Sequence, residues 1–133
     1  MYLLLLELKK AYSLRAGRLG VSSFPRGFYL YVGSAQKNLP QRLRRHLSTE
    51  KRTHWHIDYL LHSARICAIY SYEAPREWEC RLSQRIAGLK GVRVVLKGFG
   101  SSDCSCPTHL YFFPNIPRVE DIAPKGLRGW QLI

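Results

Sequence analysis

The run Tyr2-Leu3-Leu4-Leu5-Leu6-Glu7-Leu8 is apolar at both odd and even positions, with Glu7 its one polar residue. A strand with one wet face alternates, whereas a strand that is apolar on both sides has to be covered on both faces. Periodicity alone leaves helix open for so short a run. At 133 residues the chain is one domain by length, and large enough to bury a strand between two layers. The longest apolar stretch, residues 1–6, stops at Glu7, far short of the roughly 18 residues of a membrane span. It also lacks the basic leader and small-residue cleavage site of a signal peptide. The expectation is a cytoplasmic domain that does not enter a membrane.

Further elements follow along the chain. Residues 9–25 carry turn signals at Ala16-Gly17 and Leu19-Gly20, which predict a hairpin-like excursion. Residues 27–33 (GFYLYVG) are aromatic and apolar between glycines, a second main strand. Asn38 is placed to cap a helix with Pro40 in its first turn. That helix runs to about residue 47, with Leu39, Leu43 and Leu47 as its buried stripe. A second helix is expected over 54–64 and a strand over 66–72. A third helix is expected over 76–89, with Trp78, Leu82, Ile86 and Leu89 on one face and Gly91 ending it. Residues 92–96 and 109–113 read as further strands. The fold class is α+β, a small, mainly antiparallel sheet flanked by helices. The domain spans 1–113, and 114–133 is a Pro-containing extension expected to wrap or dangle.

Charge narrows the partner. The net charge is +12, and residues 9–52 hold eleven Lys or Arg against the single acid Glu50. From residue 53 onward ten basic residues face seven acids. So clustered a surplus points to a polyanion, most often nucleic acid. Lys37, Arg44, Arg45, Lys51, Arg52 and His56 are the candidate nucleic-acid contacts. Cys67, Cys80, Cys104 and Cys106 do not form a secreted disulfide pattern and are expected to be reduced. Cys104-x-Cys106-x-x-His109 offers three metal ligands where structural zinc takes four. The fourth would come from Cys67, Cys80 or a distant His, and no paired CxxC is present, so zinc is not expected.

Four blocks carry a family resemblance: Tyr-Val-Gly-Ser-Ala (31–35), Trp-His-Ile-Asp-Tyr-Leu-Leu (55–61), Glu-Cys (79–80) and Gly-Phe-Gly-Ser-Ser-Asp-Cys (98–104). Together with Arg42 and His46, they resemble the GIY-YIG nuclease superfamily of URI-type endonucleases. The likeness extends to the small subgroup also found appended to endonuclease III, and covers about residues 1–113. It implies a metal-dependent endonuclease acting on DNA, in repair or recombination, with Mg²⁺ (or Mn²⁺) as cofactor and Glu79 as the metal ligand. It also implies Arg42 as the phosphate-stabilising cation and Tyr2 or Tyr31 as the tyrosine that helps deprotonate water, with His46 near by. The spacer between Tyr2 and Tyr31 is longer than in typical members, and the place of the family's late Asn falls to Ser102 or Asp103, or to no residue.

The residues themselves fit that chemistry. Phosphodiester hydrolysis needs a nucleophilic water, charge neutralisation on the phosphoryl oxygens and help for the leaving oxygen. Mg²⁺ keeps several waters and needs only one or two carboxylates. Arg42 and Arg45 lie at i and i+3 on one helix, within reach of one phosphate. A phenol is a poor base unless a cation lowers its pKa, and Tyr29 is expected to be a packed strand aromatic. The alternative function is a module that binds nucleic acid without cutting it and targets a repair enzyme, whether as partner or fused domain.

Overall fold

In the computed structural model, the described residues are 1–34, 38–48, 53, 55–71, 75, 77–101, 104–122 and 128–131. The apolar run forms β1 (Tyr2–Leu8) at the centre of a five-stranded sheet. It is followed by β2 (Tyr12–Arg15), β3 (Val21–Phe24) and β4 (Gly27–Gly33). Then come α1 (Leu39–Leu47), α2 (His56–Leu61), β5 (Arg65–Ser71) and α3 (Trp78–Ala87). The chain continues with β6 (Leu110–Phe113), α4 (Val119–Ile122) and β7 (Arg128–Gln131). The sheet order is β6-β4-β1-β5-β7, and every pairing is antiparallel.

β1 is covered on both faces, as its composition requires. Tyr2, Leu4, Leu6 and Leu8 pack with Tyr29, Tyr31, Ile57, Leu60 and Phe99 on one face. Met1, Leu3 and Leu5 pack with Leu30, Val32, Leu82, Ile86, Val119 and Ile122 on the other. Each such buried Leu stabilises the fold by about 1.5–3 kcal/mol relative to exposure. The long spacer is a hairpin, β2 against β3 around the turn Gly17–Leu19, forming a separate two-stranded sheet. β4 therefore still pairs directly with β1, placing Tyr2 opposite Gly33 and Leu4 opposite Tyr31.

Several expectations need correction. Residues 92–96 are not a strand: Arg93 makes one isolated bridge to Phe112, and Val94 is exposed. Gly91, at φ 84°, turns the chain away immediately before this segment. Asn38 precedes α1, but its side chain makes no cap bond; it adopts the left-handed conformation at φ 62°. Leu47 is exposed and His46 takes its place against the core. At 100° per residue His46 lies about 20° from Leu39 around the helix and Leu47 about 80°, so the inward stripe is Leu39, Leu43 and His46. α2 and α3 are shorter than expected, and α3 ends at Gly88 rather than Gly91. The C-terminal segment, expected to wrap or dangle, buries Val119 and Ile122 and adds β7 to the edge of β5. No helix among the described residues is long and apolar enough to cross a membrane.

Candidate active site

The site begins at the end of the central strand pair. A Cβ on Gly33 would lie 2.2 Å from Cζ of Tyr2, so glycine here is what lets the Tyr2 ring lie across β4. Tyr2 and Tyr31 point to the same face, since residues two apart on a strand share a side, and their ring centroids are 6.4 Å apart. Tyr31 is covered by Phe99, at 6.2 Å, and by Gly100. Gly100 sits at φ 71°, and a Cβ there would be 2.8 Å from the Tyr31 ring. The loop carrying Gly100 is tied down by His56, whose Nδ1 accepts the Gly100 N–H at 2.9 Å.

α1 brings two candidate side chains to the tyrosines. His46 is 2% exposed, and its Nε2 is 2.8 Å from the Tyr2 hydroxyl. Arg42, one turn earlier, donates from Nη1 to the Ser34 carbonyl. Its positive charge acts on the Tyr2 phenol and draws that pKa downward. The Arg42 and Arg45 guanidinium carbons stack over Trp55 at 4.6 and 4.2 Å from the ring centroid.

Arg45 is turned to a different task from Arg42. It forms a two-pronged bond to the fully buried Asp58, at 2.9 and 2.8 Å. Asp58 also accepts the Trp55 backbone N–H at 2.8 Å. This is half of a capping box, and an indole has no acceptor to supply the other half. Arg45 and Asp58 thus clamp α1 to α2 and fix the Trp55 platform beneath Arg42.

Glu79 enters from the first turn of α3. Its side chain is 18% exposed, and Oε1 lies 2.8 Å from His109 Nδ1. That approach is an ion-pair distance but does not meet hydrogen-bond geometry. The Glu79 carboxylate acts electrostatically on Tyr2, Tyr31 and the Met1 amino group. His109 itself is held by the ladder, its N–H bonding Phe99 O at 2.8 Å and its carbonyl accepting Val32 N–H at 2.9 Å. α3 is fixed against the same segment by Ser83, whose hydroxyl donates to Thr108 O at 2.9 Å.

Burial is the dominant influence on both phenols and pushes their pKa values above the ordinary range. For Tyr2 the Arg42 cation pulls the other way without prevailing. For Tyr31 the neighbouring Tyr2 and Glu79 push further upward. Neither tyrosine is a phenolate at neutral pH, and the Tyr2 hydroxyl shares a hydrogen bond with His46 Nε2. Burial lowers the His56 pKa and keeps that imidazole neutral, as an Nδ1 acceptor must be.

Of the residues read from the sequence, Tyr2, Tyr31, Arg42, His46 and Glu79 converge here from β1, β4, α1 and α3. Arg45 and His56 are engaged in holding the site together. Arg44 is exposed, and Tyr29 is a buried strand aromatic whose hydroxyl donates to Pro25 O. Lys37, Lys51, Arg52, Ser102 and Asp103 lie outside the described residues. Sequence reasoning missed Trp55 as the cation platform and His109 as the neighbour of Glu79. Neither the stacking of the arginines on Trp55 nor the His109–Glu79 contact had a local sequence signal. A cleft of about 430 Å³ lined by Leu89, Phe113, Ile116 and Ile122 contains none of the site residues. Cys80, Cys104, Cys106 and His109 form a second cluster beside Glu79.

One family model, a domain of unknown function (DUF123), matches residues 1–130. No curated protein and no solved structure matches the chain.

Proposed function

We propose that this chain, which belongs to the DUF123 family, is a metal-dependent endonuclease that hydrolyses phosphodiester bonds of nucleic acid, with DNA as its substrate. The observation that carries this reading is the convergence of Tyr2, Arg42, His46 and Glu79 at one end of the sheet, with Tyr2 OH 2.8 Å from His46 Nε2. A domain that only binds nucleic acid has no use for a part-exposed carboxylate placed beside a tyrosine–histidine pair and an arginine.

Arg42 is positioned to neutralise charge that develops on the phosphoryl oxygens. Its guanidinium is held in place by the Ser34 carbonyl and the Trp55 face, so it needs little reorganisation during the reaction. Tyr2 takes a proton from the attacking water as its own passes to His46 Nε2. Tyr31 buttresses Tyr2 and closes the apolar side of the site. Glu79 fits a hard divalent cation: it is a part-exposed carboxylate beside the cluster, whereas Asp58 is fully buried and committed to Arg45. Glu79 would hold Mg²⁺ or Mn²⁺, and a metal there would supply charge neutralisation for phosphodiester hydrolysis. The +12 net charge supports a polyanionic substrate. A surface this small favours specificity supplied by an attached repair domain or partner.

The test is a cleavage screen over branched, damaged and single-stranded substrates with Mg²⁺ and Mn²⁺, run beside Glu79→Ala. Metal-dependent cutting by the wild type that the variant lacks supports the proposal. Equal cutting by both rejects it. Salt-sensitive binding without cutting of any substrate assigns the chain to the binding-module alternative.

A further inference from the structure

The geometry points to a structural zinc site made by Cys80, Cys104, Cys106 and His109, distinct from the Glu79 carboxylate and independent of the nuclease reading. The sequence offered three ligands and left the fourth open. The fold brings up Cys80, from the first turn of α3, and leaves Cys67 behind on β5.

The four donor atoms lie within 4.8 Å of one another. A tetrahedral ion with Zn–S near 2.3 Å and Zn–N near 2.1 Å has ligand–ligand edges of about 3.6–3.8 Å. Cys104 Sγ and His109 Nε2 are 3.4 Å apart, already near that edge. The widest separation exceeds it by only about 1 Å, which a side-chain rotation in a loop can close. Cys106 and His109 are buried and Cys80 and Cys104 half-buried, so the cluster is largely screened from water. All four cysteines of the chain are free thiols. Three would bind as thiolates, releasing their protons to solvent, and His109 would bind through neutral Nε2.

Two further features fit. With Nε2 toward Cys104, the other ring nitrogen of His109 faces the Glu79 carboxylate at 2.8 Å. A metal-binding histidine commonly donates its other ring N–H to a carboxylate; Glu79 is at the right distance for this, and a small rotation of its carboxylate would complete the hydrogen bond. The segment 88–109 also forms no helix or multi-residue strand among its described residues. Irregular stretches beyond about 12–15 residues are uncommon in compact domains and usually carry a function. Zinc held by Cys104 and Cys106 would staple this segment to α3. Soft thiolates select zinc over Mg²⁺, so the two metals would not compete for one site.

The full chain is to be purified reduced and without chelator, and its metal content measured. One zinc per chain is expected, retained through dialysis against Mg²⁺. Reconstitution with Co²⁺ is expected to give intense tetrahedral d–d bands and a thiolate-to-cobalt charge-transfer band. Cys104→Ser and Cys106→Ser should lose bound zinc, while Cys67→Ser and Glu79→Gln keep the stoichiometry at one. Retained zinc in Glu79→Gln separates this site from any failure of the nuclease reading. If the cysteine variants do not fold, the cobalt spectrum of the wild-type chain decides alone. No zinc and no thiolate–cobalt band in reduced wild-type protein would overturn the assignment, as would loss of zinc in Cys67→Ser.

Discussion

Tyr2 links the fold of this chain to its proposed chemistry. Its ring fills the space that Gly33 leaves open, and its hydroxyl reaches His46. Gly33→Ala would place a methyl into that ring, and overpacking of this kind costs about 1–3 kcal/mol. The expected result is a lowered urea midpoint together with lost cleavage, and unchanged stability would show that the ring does not lie there. Burial raises the Tyr2 pKa, so above pH ~10 the unfolded chain ionises this phenol while the folded chain does not. Stability contributed by the neutral phenol is full below that pH and is lost as pH rises toward the folded-state value, at up to about 1.4 kcal/mol per pH unit. Tyr2→Phe should therefore flatten the fall of Tm between pH 10 and 12. It should also slow cleavage at pH 7.5 by about 10²–10⁴-fold, the usual range for a lost proton-transfer group. Tyr2 was legible in the sequence as a candidate only through the family resemblance, and its partner His46 as the residue one turn beyond Arg42.

At the scale of elements, α1 shows where sequence reasoning succeeds and where it stops. Its extent, the proline in its first turn and the positions of Arg42 and His46 followed from local pattern. The division of labour among its arginines did not, because it depends on Asp58, which arrives from another helix. Arg44 and Arg45 are adjacent, yet one is exposed and the other pairs with a buried carboxylate. Arg45→Met would leave Asp58 buried without this cation and is expected to cost about 3 kcal/mol. Arg44→Met should stay within about 0.5 kcal/mol of wild type. Denaturant midpoints at unchanged m-value measure both, and equal effects would contradict the clamp between α1 and α2. Residues 92–96 misled for a related reason: β-branched composition describes a strand only where a partner strand is available, and here Arg93 finds a single bridge.

For the whole molecule, the apolar run dictated the architecture most directly: covering both faces of β1 takes helices on each side, and the chain supplies them. The inserted hairpin could be read from its turns, but its standing outside the main sheet could not, since local pattern does not say which strands pair. The C-terminal segment shows the same limit, joining the sheet edge through a pairing of distant residues. The metal cluster is the extreme case, with Cys80 brought to Cys104 and Cys106 only by the packing of α3. The charge had no such dependence: a surplus of +12 is the same whatever the fold, and it supports the proposed polyanionic substrate. The nuclease proposal rests on Glu79 being catalytic and not merely a partner for His109. The most direct test measures binding and cleavage of one DNA substrate, side by side, for wild type and Glu79→Gln in Mg²⁺. Retained affinity with cleavage reduced by at least about 10²-fold is the predicted result. Cleavage by Glu79→Gln at the wild-type rate would contradict it.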